Sequence, residues 1–71
     1  MFDYAKLKGR IAEKSQTHKA VAAVVGLSPT AFGAKIRSGR GFKAEQIMSA
    51  CKMLDIPDEE IGAFFYVKKF D

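Results

Sequence analysis

Apolar residues fall at helical spacing along most of the chain, and a glycine, a proline or a capping hydroxyl interrupts each run. In residues 4 to 14, YAKLKGRIAEK, Tyr4, Leu7, Ile11 and Ala12 form one stripe with lysine and arginine opposite, and Asp3 stands where a cap is needed. The pattern predicts a first helix there. Gly9 inside it lowers helix propensity by about 1 kcal/mol against alanine and points to a close contact at that position. Ser15 and Gln16 read as a short link.

Thr17 can cap a second helix, HKAVAAVV, in which Val21, Ala22 and Val25 share one side. Gly26 is the residue expected just past a helix end, where a left-handed backbone costs other residues about 1 kcal/mol or more. Leu27 is expected to point back into the core. Ser28 then caps a third helix, and Pro29 occupies its first turn, where the missing N–H loses nothing. Phe32 and Ile36, four apart, are its apolar side; it runs to about Ser38, and Gly39 supplies the next stop. The small Ala22 lets the two helices cross closely. Two short helices joined by a tight glycine-containing turn make a helix-turn-helix, here over residues 17–39.

A fourth helix is predicted from Ala44 to Leu54, with Ile47, Met48, Ala50, Cys51 and Leu54 inward, Phe42 stapled onto Ile47 and Gln46 reaching back to the N-terminal backbone. Lys43, at the cap position, is a poor cap and unfavourable to the helix dipole, which suits it to a phosphate contact instead. Ile56 and Pro57 break the pattern. Pro57, Asp58, Glu59 and Glu60 open a fifth helix containing Ile61, Phe64 and Phe65. The last stretch, residues 64–71, is apolar for a chain end. Phe65, Tyr66, Val67 and Phe70 are expected to form an extended segment that pairs with a second copy, giving a homodimer; the other arrangement is a tail folded back over its own core. The pattern as a whole predicts an all-α fold, a compact five-helix single domain spanning residues 1–71 with a short apolar C-terminal tail.

Composition narrows the function classes. A chain of 71 residues supports one domain that buries roughly 60% of its unfolded surface. No apolar run approaches the roughly 18 residues of a membrane span. With one cysteine and one histidine, neither an internal disulfide nor a metal cluster is expected, and no phosphate-binding glycine loop is present. Cys51 falls on a buried stripe and reads as core packing, and His18 begins a helix on an exposed face. No enzyme activity and no cofactor are therefore expected. The first ten residues lack an apolar signal core, so the cytoplasm is the expected location.

Charge changes the picture more. The net charge of +4 is mild, but Lys14, Lys19, Lys35, Arg37, Arg40 and Lys43 occupy a stretch without aspartate or glutamate, while Asp55, Asp58, Glu59 and Glu60 fall together later. This asymmetry points to an anionic partner at the helix-turn-helix. The basic, glycine-rich residues 38 to 41 suit a phosphate contact through Arg40 and the backbone, or an ordinary turn.

The run from Thr17 to Gly39, with Ala22, Gly26, Leu27, Ser28, Phe32 and Ile36 in place, resembles the helix-turn-helix of the Cro and repressor family of temperate phages. The opening FDYAKLKGRI and the later LDIPDEEIGAFF are similar to a group of small Cro-like regulators of phages of Gram-positive bacteria, so the resemblance covers nearly the whole chain. It implies a lambda-repressor-like fold and a transcriptional regulator of the lysis/lysogeny decision, acting on double-stranded operator DNA as a dimer in the host bacterial cytoplasm. Base edges would be met by Ser28, Thr30, Gly33 and Ala34, with the methyls of Ala31 or Thr30 against thymine. Phosphates would be met by Thr17, His18, Lys19, Lys35, Arg37, Arg40 and Lys43. Related recognition helices carry Gln, Arg, Asn or Lys where this chain offers proline, small hydroxyls, alanine and glycine, and His18 stands where a glutamine is usual. These departures motivate a second reading, in which Pro29, Thr30, Ala31, Gly33 and Ala34 bind a protein, the phage repressor, and the chain is a modulator or antirepressor.

Overall fold

Asp3 opens the first element: its Oδ1 accepts the Ala5 N–H at 2.9 Å, and helix α1 runs Ala5–Glu13. Helix α2, His18–Val25, begins where the Thr17 hydroxyl oxygen accepts the Ala20 N–H at 3.0 Å, and ends at Gly26 with φ +80°. Gly26, Leu27 and Ser28 connect it to α3, Pro29–Ser38, capped by Ser28 Oγ accepting from Ala31 N at 3.0 Å. Helix α4, Ala44–Leu54, follows, and a 3-10 turn over Asp58–Glu60 leads into the short α5, Ile61–Phe65. The computed structural model describes residues 1–69, and among them the secondary structure is helical apart from one isolated bridge between Phe2 and Lys68.

Three helices stop by the same device. The N–H of the residue after a left-handed one reaches back five positions: Gln16 to Ile11 at 3.0 Å, Leu27 to Ala22 at 2.9 Å, and Ile56 to Cys51 at 2.9 Å. Gly26 fits the left-handed residue before such a closure without cost. Ser15 and Asp55 adopt it at φ +55° and +53°, each at a cost of about 1 kcal/mol or more.

One core holds the elements together. Leu7 and Ile11 of α1, Val21 and Ala22 of α2, Phe32 of α3, and Ile47 and Leu54 of α4 are all buried. Helix α2 sits against α3 and α4, with Ala22 wholly buried, and α5 closes the other side against α1. Lys6 and Arg10 lie over the Phe64 ring at 4.9 and 5.3 Å, so the basic face of α1 also covers α5. The Cα radius of gyration, 11.0 Å, matches the roughly 11 Å expected of a compact chain this long.

The chain ends form a strap. Phe2 N donates to Gly39 O at 2.8 Å, Asp3 N to Val67 O at 2.7 Å and Lys69 N to Met1 O at 3.0 Å, so the segment after α5 pairs with the N-terminus of its own chain. The expectation that it reaches out as an unpaired strand toward another copy is corrected: those backbone groups are engaged within the chain. Phe65, expected on that pairing surface, is 2% exposed and meets Phe42 edge-on at a ring distance of 6.0 Å, whereas Tyr66 and Val67 are exposed. Phe70 lies outside the described residues.

Four smaller expectations also change. Met48 is 70% exposed, because Ile47, Ala50, Cys51 and Leu54 already fill the buried stripe of α4 and residue 48 lies beyond its edge. Ala12 is exposed, and the space around Gly9 is open, with nothing within 4 Å of a Cβ placed there. The fifth helix begins at Ile61, not at Pro57, because the intervening acids form the 3-10 turn. Phe42 joins an aromatic cluster with Tyr4, Phe32 and Phe65.

Candidate nucleic-acid interface

The sequence-predicted site residues gather on α2, α3 and the loop after them, and differ in how free they are. Thr17 and Ser28 use their hydroxyl oxygens as caps, which leaves each O–H proton available to an acceptor. Thr17 takes the Ala20 N–H, and the remaining first-turn N–H groups of α2, those of His18 and Lys19, carry no intrahelical partner, an arrangement suited to a phosphate. His18 is exposed at its tip, while its ring meets Phe32 edge-on at 5.8 Å, which ties the start of α2 to α3.

Along α3, Pro29, Thr30 and Ala34 are exposed, and Ala31 and Gly33 are half-buried. Arg37 folds back along the helix: its Nη1 lies 3.1 Å from where a Cβ on Gly33 would stand. Gly33 therefore makes room for a guanidinium on the outer surface. Lys35 is turned elsewhere. Its Nζ donates to Gly41 O at 2.9 Å, at an exposed position, and sits 5.3 Å from the Phe42 ring centre, so part of its bonding capacity serves the loop.

The loop after α3 is held from within. Gly39 O accepts from Phe2 N, Arg40 O accepts the Tyr4 hydroxyl proton, and Gly41 O accepts from Lys35 Nζ. Three consecutive carbonyls are thus satisfied by the body of the protein, while the Arg40 side chain is exposed. Burial, with a smaller contribution from Tyr66, pushes the Tyr4 phenol up to about 12, so it remains a hydrogen-bond donor throughout the ordinary pH range. Burial also raises the Cys51 thiol, with Asp58 adding to the effect, and disfavours the reactive thiolate.

The electrostatics are one-sided. Residues 15 to 44 contain no acid. Among the described residues the two ion pairs are Arg10 with Glu13 at 3.4 Å and Lys14 with Asp55 at 3.1 Å. Lys14 therefore leaves the basic set in part, whereas Lys19, Arg37, Arg40 and Lys43 are exposed without a carboxylate partner. Lys43 stands at the cap of α4, where only the returning half of a capping box forms, Gln46 Oε1 accepting its N–H at 2.9 Å. Two features escaped sequence reading: the Tyr4 bond to Arg40 and the Lys35 bond to Gly41. A tyrosine on an otherwise aliphatic buried stripe signals the first, since a buried phenol needs a partner; nothing local signals the second.

The class defined at this point is an all-α domain whose two short capped helices, with the loop that follows, carry exposed basic residues in a stretch of sequence without acids. The chain belongs to the family described as Protein of unknown function (DUF739), which it matches over residues 1–68. No curated protein matches it significantly.

Proposed function

We propose that this chain is a Cro-like transcriptional regulator of phage type that binds operator DNA, α2 and α3 serving as its helix-turn-helix. The observation that carries this reading is the run of residues 15 to 44 without an acid, in which Lys19, Arg37, Arg40 and Lys43 are exposed and, among the described residues, form no ion pair. With α3 in the major groove, Ser28, Thr30, Ala31, Gly33 and Ala34 meet base edges, and thymine methyls are the natural partners of the alanine and threonine methyls. Thr17, His18, Lys19, Arg37, Arg40 and Lys43 meet phosphates on either side. Two copies on half-sites about one helical turn apart would form the operator complex.

Four exposed cations per copy imply that log K falls against log salt with a slope of about −3 to −4 for each copy bound. The test is fluorescence anisotropy with DNA flanking the chain's own gene beside a scrambled duplex, at about 50 and about 150 mM salt. Selective binding that persists at the higher salt supports an operator reader. A second reading rests on a specific feature: the exposed part of α3 offers small side chains, with Arg37 folded over Gly33. A smooth surface of that kind suits close helix-helix approach, as a modulator of the phage repressor protein would need. Equal and salt-labile binding to both duplexes, together with capture of that repressor, would favour it.

A further inference from the structure

The proposed operator complex needs two copies, and the tail expected to join them is engaged within its own chain. A different surface is free. Met48 stands 70% exposed on α4, at the edge of a groove of about 290 Å³ floored by Cys51, Ile56 and Ile61. Lys52 and Asp58 line the same groove with opposite charges, and neither belongs to an ion pair among the described residues. None of these residues is on the basic α2–α3 surface.

We infer that the groove between α4 and the 3-10 turn is the self-association surface of this protein, Met48 of each copy entering the groove of the other while Lys52 pairs with Asp58 across the interface. The occupant is a second copy because the surface is complementary to itself: it carries a protruding apolar side chain, a cavity to receive one, and a cation and an anion to be exchanged. A two-fold axis satisfies each of these twice, as isologous contacts require. An acidic or basic foreign partner would satisfy only one of the two charges. The apolar area is small for a permanent dimer, so association in free solution is weak and concentration-dependent. The inference takes from the proposed function only the need for two copies. Its test contains no DNA, so its failure is separate from failure of the DNA reading.

The experiment is sedimentation equilibrium of the full chain over a micromolar to millimolar range. The parent protein is expected to self-associate, and Met48→Glu to lose that association while its circular dichroism is unchanged, since residue 48 is exposed. Lys52→Glu sets two carboxylates against each other across the interface, and Asp58→Lys sets two ammonium groups against each other; each is expected to weaken association about tenfold or more. An equimolar mixture of these two variants regains it, because one copy then carries two carboxylates and the other two ammonium groups, so both interfacial pairs of the mixed dimer join opposite charges. Pairing within one chain cannot produce that recovery. A mixture that stays monomeric overturns the inference, as does a parent protein that is monomeric throughout the range. Loss of association in Tyr66→Asp but not in Met48→Glu would overturn it too, by moving the interface to the chain ends.

Discussion

Replacing Gly39 with alanine adds one methyl group at a backbone angle of +73°, a conformation that costs an L-residue about 1 to 2 kcal/mol. The new Cβ would stand 2.6 Å from Phe2 O and 2.8 Å from Phe2 N, both backbone atoms of the N-terminal strap. No side-chain rotation relieves that contact. The strap must lift, and the Phe2 to Gly39 hydrogen bond goes with it, for about 1 kcal/mol more. The sum, about 2 to 3 kcal/mol, is a large part of the roughly 4 to 10 kcal/mol available to a domain this size. Urea unfolding with a slope of about 1 kcal/mol per molar should show the midpoint falling by about 2 M or more. The same substitution at Gly9 acts oppositely: its surroundings are open, so alanine gains up to about 1 kcal/mol of helix propensity and the midpoint rises. A Gly39→Ala protein within about 0.5 kcal/mol of the parent would refute the strap as a structural element.

Other outcomes follow from the same contacts. Arg37→Ala should flatten the salt slope of DNA binding by about one unit, whereas Lys35→Ala should leave the slope nearly unchanged and lower stability instead, because its Nζ is bonded to Gly41 O. Thr17→Ala and Ser28→Ala should each cost about 1 kcal/mol in thermal or urea unfolding through loss of a cap. For Tyr4, the folded value of about 12 lies above the ordinary 10.0, so the folded protein retains a proton that the unfolded chain releases. Stability is therefore full below pH 10 and declines as pH rises from 10 through 12, a decline that Tyr4→Phe should lessen in urea midpoints measured across that window.

The parts legible in the sequence are those fixed by neighbours along the chain. Thr17, Ser28, Gly26 and Gly39 act within a few residues of where they stand, so the limits of α2 and α3 could be read directly. The buried stripe of α4 was readable except at Met48, because a residue adjacent to the stripe is apolar without lying on it. Phe65 and the strap were not readable, since an extended apolar segment specifies that it will pair but not with which strand. The identity of that partner, residues 1 to 3 of the same chain, depends on where α5 ends relative to α1. Lys35 shows the same limit within the candidate site. A long side chain near a loop carbonyl and an aromatic ring settles on them, and that proximity exists only after folding.

The central claim is that DNA is met by the α2–α3 surface, and the most direct measurement is chemical-shift mapping of isotope-labelled protein titrated with duplex DNA from beside its own gene. The amides expected to move most belong to residues 17 to 19 and 28 to 37, with Arg40 and Lys43, while the strap stays still. Shifts centred on Met48, Ile56 and Ile61 instead, or no shift at about 50 mM salt, would contradict it.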